Sequence, residues 1–190
     1  MAIELKNINK SFGGQAVLTD FSLVLERGIT CIMGASGQGK TTIAHILAGL
    51  LIADSGEVKI SPDAKFSFVF QEDRLLDWES ALINVLFVTT RPKQNTAKAI
   101  QLLAEAGLAD SIHKKARELS GGMKRRVTIC RALIADYDIL ILDEPFKGLD
   151  AKIKPRIMDM VKNHTTNKLV LAITHDPYEA EYLGGKLFYI

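Results

Sequence analysis

Apolar and polar residues alternate in two early stretches, Ala2 to Lys10 and Ala16 to Glu26, with the turn-forming pair Gly13-Gly14 between them. The pattern predicts an antiparallel hairpin. A solid apolar run, Gly28-Ile-Thr-Cys-Ile-Met33, follows and suits a buried parallel strand, and from Thr42 to Leu50 apolar residues recur at helical spacing. Asp54-Ser-Gly56 and Ser61-Pro-Asp63 predict turns around a short strand, Glu57 to Ile60. Lys65-Phe-Ser-Phe-Val-Phe70 is an aromatic, β-branched run that ends at Gln71. From Leu75 to about Asp136 the character is helical. Thr96 or Asn95 is placed to cap a helix from Ala97 to Ala106, Gly107 stops it, and Arg91-Pro92 with Lys93-Gln-Asn95 marks a break between pieces. Lys124 to Ile134 reads as a helix with a basic first turn, and Asp138 to Leu142 and Leu169 to Ile173 as further buried strands. The expected fold is α/β: a mostly parallel sheet, an antiparallel β unit in front, and a helical insertion at about residues 75 to 135 of a single domain spanning 1–190.

Composition narrows this little. The 190 residues suffice for one well-cored domain, and 47% hydrophobic with 24% charged is ordinary for a globular chain. A net charge of +2, from 24 Lys and Arg against 22 Asp and Glu, offers no global field for nucleic acid or an anionic membrane. Cys31 lies in an apolar run and Cys130 in a helical pattern, without metal-site or disulfide spacing, so both are expected to be buried free thiols. The start carries no basic-then-apolar signal pattern, and no window approaches the roughly 20 apolar residues of a membrane helix. A soluble, cytoplasmic chain is expected, with any membrane role exerted through a partner.

The chemistry centres on Gly34-Ala-Ser-Gly-Gln-Gly-Lys-Thr-Thr42, which satisfies G-x-x-x-x-G-K-[ST]. Backbone N–H groups must wrap a polyphosphate closely, and Gly34, Gly37 and Gly39 permit that approach. Lys40 supplies a point charge for the β- and γ-phosphates, and the Thr41 hydroxyl is placed to ligate Mg²⁺ at the start of a helix. Strand, loop and helix come in the order that this reading requires.

Other positions gain meaning from that centre. Phe12, just before a turn, is either a core or surface aromatic or a platform for a flat heterocycle. Gln71 ends a strand, either as an ordinary polar terminus or as a ligand for a cation or water. Ser120 and Gly121-Gly122, before the basic turn, offer a hydroxyl and N–H groups as a second phosphate-binding helix start; the alternative is a surface cap with a solvated basic face. Asp138-Ile-Leu-Ile-Leu-Asp143-Glu144 delivers paired carboxylates to a strand end, where open α/β sheets keep ligand sites. Alternation along a strand would send Asp143 toward Mg²⁺ and Glu144 toward an attacking water. His175 ends a strand at the same edge.

Taken together, Gly34 to Thr42, Gln71, Leu119-Ser-Gly-Gly122, Asp143-Glu144, Gly148-Leu-Asp150 and His175 resemble the ATPase subunits of ABC transporters over nearly the whole chain. Val69 to Trp78 and Leu119 to Val127 look most like the bacterial importers of nitrate, sulfonate, taurine and related small nutrients. The resemblance implies a P-loop NTPase core that binds ATP and Mg²⁺ and hydrolyses ATP. On that basis Phe12 stacks on adenine. Gly34, Ser36, Gly37, Gly39, Lys40, Thr41 and Thr42 hold phosphates, and Thr41, Gln71 and Asp143 serve the metal. Glu144 is the general base, and Gln71, Lys40 and His175 complete the catalytic set. Ser120 and Gly122 serve the nucleotide of a second ATPase subunit, expected to be an identical copy, and Asp150 bridges the pair.

A membrane permease is implied as partner, docking near Leu75, Leu76, Asp77 and Trp78, with a solute-binding protein engaged indirectly and no nucleic acid. The expected location is the inner face of the cell membrane, held there by the permease. Met123 stands where Gln is commoner in the family, Asp77 where Pro is usual and Phe12 where Tyr is commoner; none removes a required donor or acceptor. Ending at Leu187-Phe-Tyr-Ile190, the chain lacks the long C-terminal extension of many importer subunits, so no regulatory domain is expected. The rival in another class is a soluble ABC-type ATPase acting on nucleic acid or ribosomes; the absence of long heptads and of a basic tract weighs against it. A P-loop kinase would have no use for Leu-Ser-Gly-Gly.

Overall fold

The computed structural model describes residues 2–190. Two sheets organise them. β1 (Ile3–Phe12) and β2 (Gln15–Leu25) form the hairpin through Gly13-Gly14, and β4 (Ser55–Lys59) pairs antiparallel on the other edge of β1, giving the order β2-β1-β4. The second sheet runs β5-β6-β7-β3-β8, built from β3 (Gly28–Met33), β5 (Phe66–Val69), β6 (Ile139–Asp143), β7 (Leu169–Ile173) and β8 (Lys186–Tyr189), and each of its pairings is parallel.

Period-2 geometry splits these strands between two cores. Ile139, Ile141, Leu169 and Leu171 face the antiparallel sheet and α1 (Lys40–Leu47), packing with Ile3, Leu25, Ile43 and Leu47. Leu140, Leu142, Val170 and Ala172 face the opposite helical layer. Both sides of β6 and β7 are therefore covered, which is why those strands read as unbroken apolar runs. Because the five strands are parallel, their C-terminal ends share one edge. The loops after Met33, Val69, Asp143 and Ile173 all open there.

The helical layer holds α2 (Ala81–Leu86), α3 (Pro92–Glu105), α4 (Gly121–Ile134), α5 (Lys154–His164) and α6 (Pro177–Leu183). Leu82, Val85, Leu102, Leu103, Val127 and Leu133 join one core with the sheet face. α3 corrects the expected start at Ala97: it begins at Pro92, where the missing N–H is one that no helix would have used. Asn95 and Thr96 are not caps. Their side chains donate back to Arg91 O at 3.1 Å and Pro92 O at 2.9 Å within the first turn. The basic turn is corrected too. α4 begins at Gly121, capped by Ser120 Oγ, which accepts from Met123 N at 3.3 Å, so Lys124 to Arg126 fall one turn further in. Arg125 is buried and Arg126 donates to Ala106 O and Gly107 O, which excludes a solvated basic face.

Cys31 and Cys130 are free and buried, and burial pushes the Cys31 thiol up to about 11. Among the described residues no helix is long and apolar enough to cross a membrane.

Candidate nucleotide site

The phosphate loop joins β3 to α1. Gly39 takes φ 87°, and a Cβ there would lie 2.8 Å from Leu18 Cδ2, so both backbone and packing demand glycine. Lys40 is nearly buried; its Nζ donates to Gly34 O at 2.8 Å and Ala35 O at 2.6 Å, which keeps the ammonium at the mouth of the loop. Thr41 Oγ1 donates to Asp143 Oδ2 at 2.8 Å and so fastens the start of α1 to the end of β6. Asp143 Oδ1 is, among the described residues, the buried side-chain polar atom left without a partner. Burial pushes this carboxyl upward, the Thr41 hydrogen bond opposes that, and neighbouring Glu144 adds to the rise. An unpartnered carboxylate oxygen beside a threonine hydroxyl is a hard-oxygen donor pair that fits a small divalent cation. Among the described residues no cluster of three His, Cys, Asp or Glu side chains could hold a metal unaided, so such a cation would take further oxygens from substrate or water.

Glu144 occupies a different conformation from the one strand alternation predicts. β6 ends at Asp143, and Glu144 turns out of the strand with φ 49° while its N–H donates to Ile173 O at 2.9 Å. The two carboxylates are thus separated by a left-handed turn. Glu144 Oε1 lies 2.8 Å from His175 Nδ1; a carboxylate only accepts, so the Nδ1–H donates and Nε2 is left for another partner. His175 stands on a braced loop. Thr174 Oγ1 donates to the buried Glu179 carboxylate, Lys154 Nζ donates to the other Glu179 oxygen at 2.7 Å, and Asp176 N donates to Thr174 Oγ1 at 3.1 Å.

These groups enclose a cleft of about 630 Å³ lined by Phe12, Ser36, Gly37, Gly39, Lys40, Thr41, Thr42, Gln71, Asp143, Glu144 and His175. Gly34 contributes behind the wall through its carbonyl. Val17, Lys147 and Ile173 also line the cleft; in the sequence Val17 and Ile173 read only as strand positions, and Lys147 carried no signal. Ser120, Gly122 and Asp150 lie outside it. Gly122 lies against a different element: a Cβ there would sit 3.3 Å from Gly148 O, in the loop that leads to Asp150. A larger groove, about 890 Å³, runs between β5 and the helices past Phe68, Phe70, Arg74, Phe87 and Val88, but it contains no phosphate loop.

The sequence pattern of the family described as ABC transporter matches residues 18–147, more than half of the chain. The chain belongs to this family. A second pattern, described as an AAA domain, matches residues 114–181, the stretch with Asp143, Glu144 and His175. The aliphatic sulfonates import ATP-binding protein SsuB 1 of Pseudomonas syringae pv. tomato is 40% identical over 97% of this chain and 68% of that protein. SsuB 2 of Burkholderia lata is 37% identical over 97% of this chain and 71% of its own length. Among solved structures, the dimer of MJ0796, a bacterial ABC transporter cassette, superposes with a TM-score of 0.87 at 30% identity, covering 99% of this chain and 94% of that one. A post-hydrolysis dimer of the same cassette, bound to ADP and Pi, gives 0.86 at 29% identity over the same shares. This member of the family is an ATPase, and it has the mixed α/β cassette fold.

Proposed function

We propose that this chain is the ATP-hydrolysing subunit of an importer for aliphatic sulfonates, working as a homodimer that closes on two ATP molecules and drives a membrane permease. The observation that carries the ATPase chemistry is the convergence of Lys40, Thr41, Asp143, Glu144 and His175 on one cleft. The solute class rests on the names of the relatives. In this reading 1–190 is one ATPase domain whose helical part spans about 75–135. Phe12, half exposed at the rim, stacks on adenine, and the 34–42 backbone with Lys40 holds the phosphates. Thr41, Gln71 and Asp143 are the residues that would hold Mg²⁺, which when bound neutralises charge on the phosphates. Glu144 takes a proton from the water that attacks the γ-phosphorus; the bond to the bridging oxygen breaks, and ADP and phosphate result. His175, its Nδ1–H held by Glu144, turns Nε2 toward the γ-phosphate, an anion to which that nitrogen donates only when it too carries a proton.

Ser120 and Gly122 complete the site of the second copy, and Asp150 bridges the two. Their position outside their own cleft supports this. For the permease, Trp78, Ile83, Phe87 and Val88 are large exposed apolar side chains, and the last two line the 890 Å³ groove. Leu75 packs against the core instead, and Leu76 is tied at both its N–H and C=O to the buried Asn84, so Trp78 is the anchor that remains of the Leu75 to Trp78 segment. Attachment to the permease would hold the chain at the inner face of the membrane. The decisive experiment is reconstitution with its permease and solute-binding protein in lipid vesicles. ATP hydrolysis stimulated by alkanesulfonates supports the reading; hydrolysis stimulated only by nitrate or another anion changes the solute, and no stimulation at all removes the importer.

A further inference from the structure

Beneath the cleft, one side chain ties the two loops that carry Gln71 and Glu144. Arg125, on α4, is only 4% exposed. Its Nε donates to Pro145 O at 2.9 Å, and its Nη2 donates to Asp143 O at 2.8 Å and to Glu144 O. Nη1 donates to Phe70 O and, at 3.3 Å, to Gln71 O, and lies 3.4 Å from the Asp73 carboxylate. Five backbone carbonyls from two loops thus converge on a single guanidinium. Only arginine offers a planar fork with enough N–H donors for that task.

The sheet does not do this work. β5 and β6 pair as far as Val69 and Leu142, and beyond that register the strand ladder no longer links Gln71 to Glu144. Two other side chains of α4 reach one loop only. Thr128 donates to Asp73 O, and Arg131 donates to Asp73 O and Arg74 O. Arg125 alone of these three reaches the loop of Asp143, Glu144 and Pro145 as well. It also stands five residues after Ser120, about one and a half turns along a helix whose rise is about 1.5 Å per residue.

We propose that Arg125 is a positioning residue that couples the seating of the α4 N-terminus on a partner subunit's nucleotide to the placement of Gln71 and Glu144 over its own. A helix moves as a rigid rod, so a displacement at Ser120 arrives at the guanidinium undiminished, and five hydrogen bonds carry it to both loops together. The inference rests on the dimeric ATPase reading above. None of the hydrogen bonds of Arg125 goes to Lys40, Thr41 or Phe12, so nucleotide binding and turnover should separate.

The test compares the full chain with Arg125→Gln and Arg125→Lys, measuring equilibrium MgATP binding, kcat at saturating protein and ATP, and thermal unfolding. A misplacement of reacting groups by about 1 Å costs on the order of 100-fold, so Arg125→Gln should lower kcat by about 10- to 100-fold with the ATP Kd changed by less than about 3-fold. Arg125→Lys keeps the charge but not the fork and should fall in the same direction; it carries the test if Arg125→Gln does not fold. A role limited to stability would lower Tm and leave kcat per folded molecule intact below Tm, and that result overturns the inference. Parallel loss of ATP affinity also overturns it, since Arg125 would then support the whole cleft. A wild-type chain without ATPase activity defeats the functional reading itself, whereas active wild type with undiminished variants defeats only this step.

Discussion

Two helices of this chain start on glycine-rich sequence, α1 after Gly39 and α4 after Ser120, and their surroundings differ completely. The start of α1 is enclosed by its own chain: Lys40 bonds two loop carbonyls, Thr41 bonds Asp143, and Gln71, Glu144 and His175 line the same cleft. The start of α4 has an exposed serine, Gly148 for a neighbour and, a turn further in, the Asp77 carboxylate 3.5 Å from Lys124. In the function proposed above, the two helix ends are phosphate-binding sites of different kinds. One would be provided with the chemistry to cleave; the other would offer donors to a nucleotide held by another molecule.

The largest expected effect falls on the enclosed site. Glu144→Gln keeps shape but cannot take a proton, so phosphate release should fall by about 10²- to 10⁴-fold while ATP binding persists. Normal hydrolysis by this variant would remove Glu144 as the base and leave the α1 cleft a binding site only. Next comes the open site. Ser120→Arg should lower turnover by on the order of 100-fold with ATP binding to the monomer unchanged. Mixing it with Glu144→Gln should then restore activity, because one mixed cleft combines an intact Glu144 with an intact Ser120. Two inactive variants that remain inactive when mixed would place Ser120 outside the partner's site.

The glycines sharpen the contrast further. At Gly39 an alanine meets both a left-handed backbone and a methyl at 2.8 Å, and ATP affinity should drop by about 10-fold or more. At Gly122 the added methyl meets Gly148 O at 3.3 Å, a contact that a small shift relieves, so binding to the monomer should hold while dimer turnover declines. Isothermal titration on both variants distinguishes the two outcomes.

Asp143 gives a test through pH. Its carboxyl is raised by burial, so the folded chain retains a proton that the unfolded chain has lost, and stability falls as pH rises from about 3.9 through the folded value. Asp143→Asn removes that penalty. Without Mg²⁺ the variant should melt above wild type at neutral pH, with the gap closing on acidification, and it should lose Mg²⁺-dependent ATP binding. An unchanged Tm would mean that the buried carboxylate is better solvated than its unpartnered oxygen implies. The smallest effect concerns the local role of Ser120: losing its cap to Met123 N in Ser120→Ala should cost about 1 kcal/mol in urea unfolding of the monomer. No change would show that the α4 start is stabilised by its neighbours instead.

Much of the architecture could be read from residue order. The unbroken apolar runs of β3, β6 and β7, the alternation of the hairpin and the phosphate-loop spacing are local patterns, and each reflects a local cause: two buried faces, one buried face, or a tight backbone turn. The start of α3 is not legible in the sequence because a proline such as Pro92 serves both as breaker and as first helical residue, and the choice goes with the burial of the helix it opens, through Ala99, Leu102 and Leu103. The basic turn of α4 misled for a related reason. Charge alone does not reveal whether an arginine meets solvent, an anion or five carbonyls.

The sequence by itself determined most of the strands and the phosphate-loop helix and named the candidate groups for the chemistry, because periodicity, glycine placement and residue type act over a few residues. Tertiary structure decided how those groups are aimed. Thr41 meets Asp143 across 102 positions of chain, Glu144 leaves its strand through a left-handed turn, Lys154 braces His175 through Glu179, and Arg125 turns inward to bind two loops. Each of these depends on which surfaces the parallel sheet brings to one edge and which it buries, and burial drives the polar groups there to find partners, Asp143 Oδ1 being the exception.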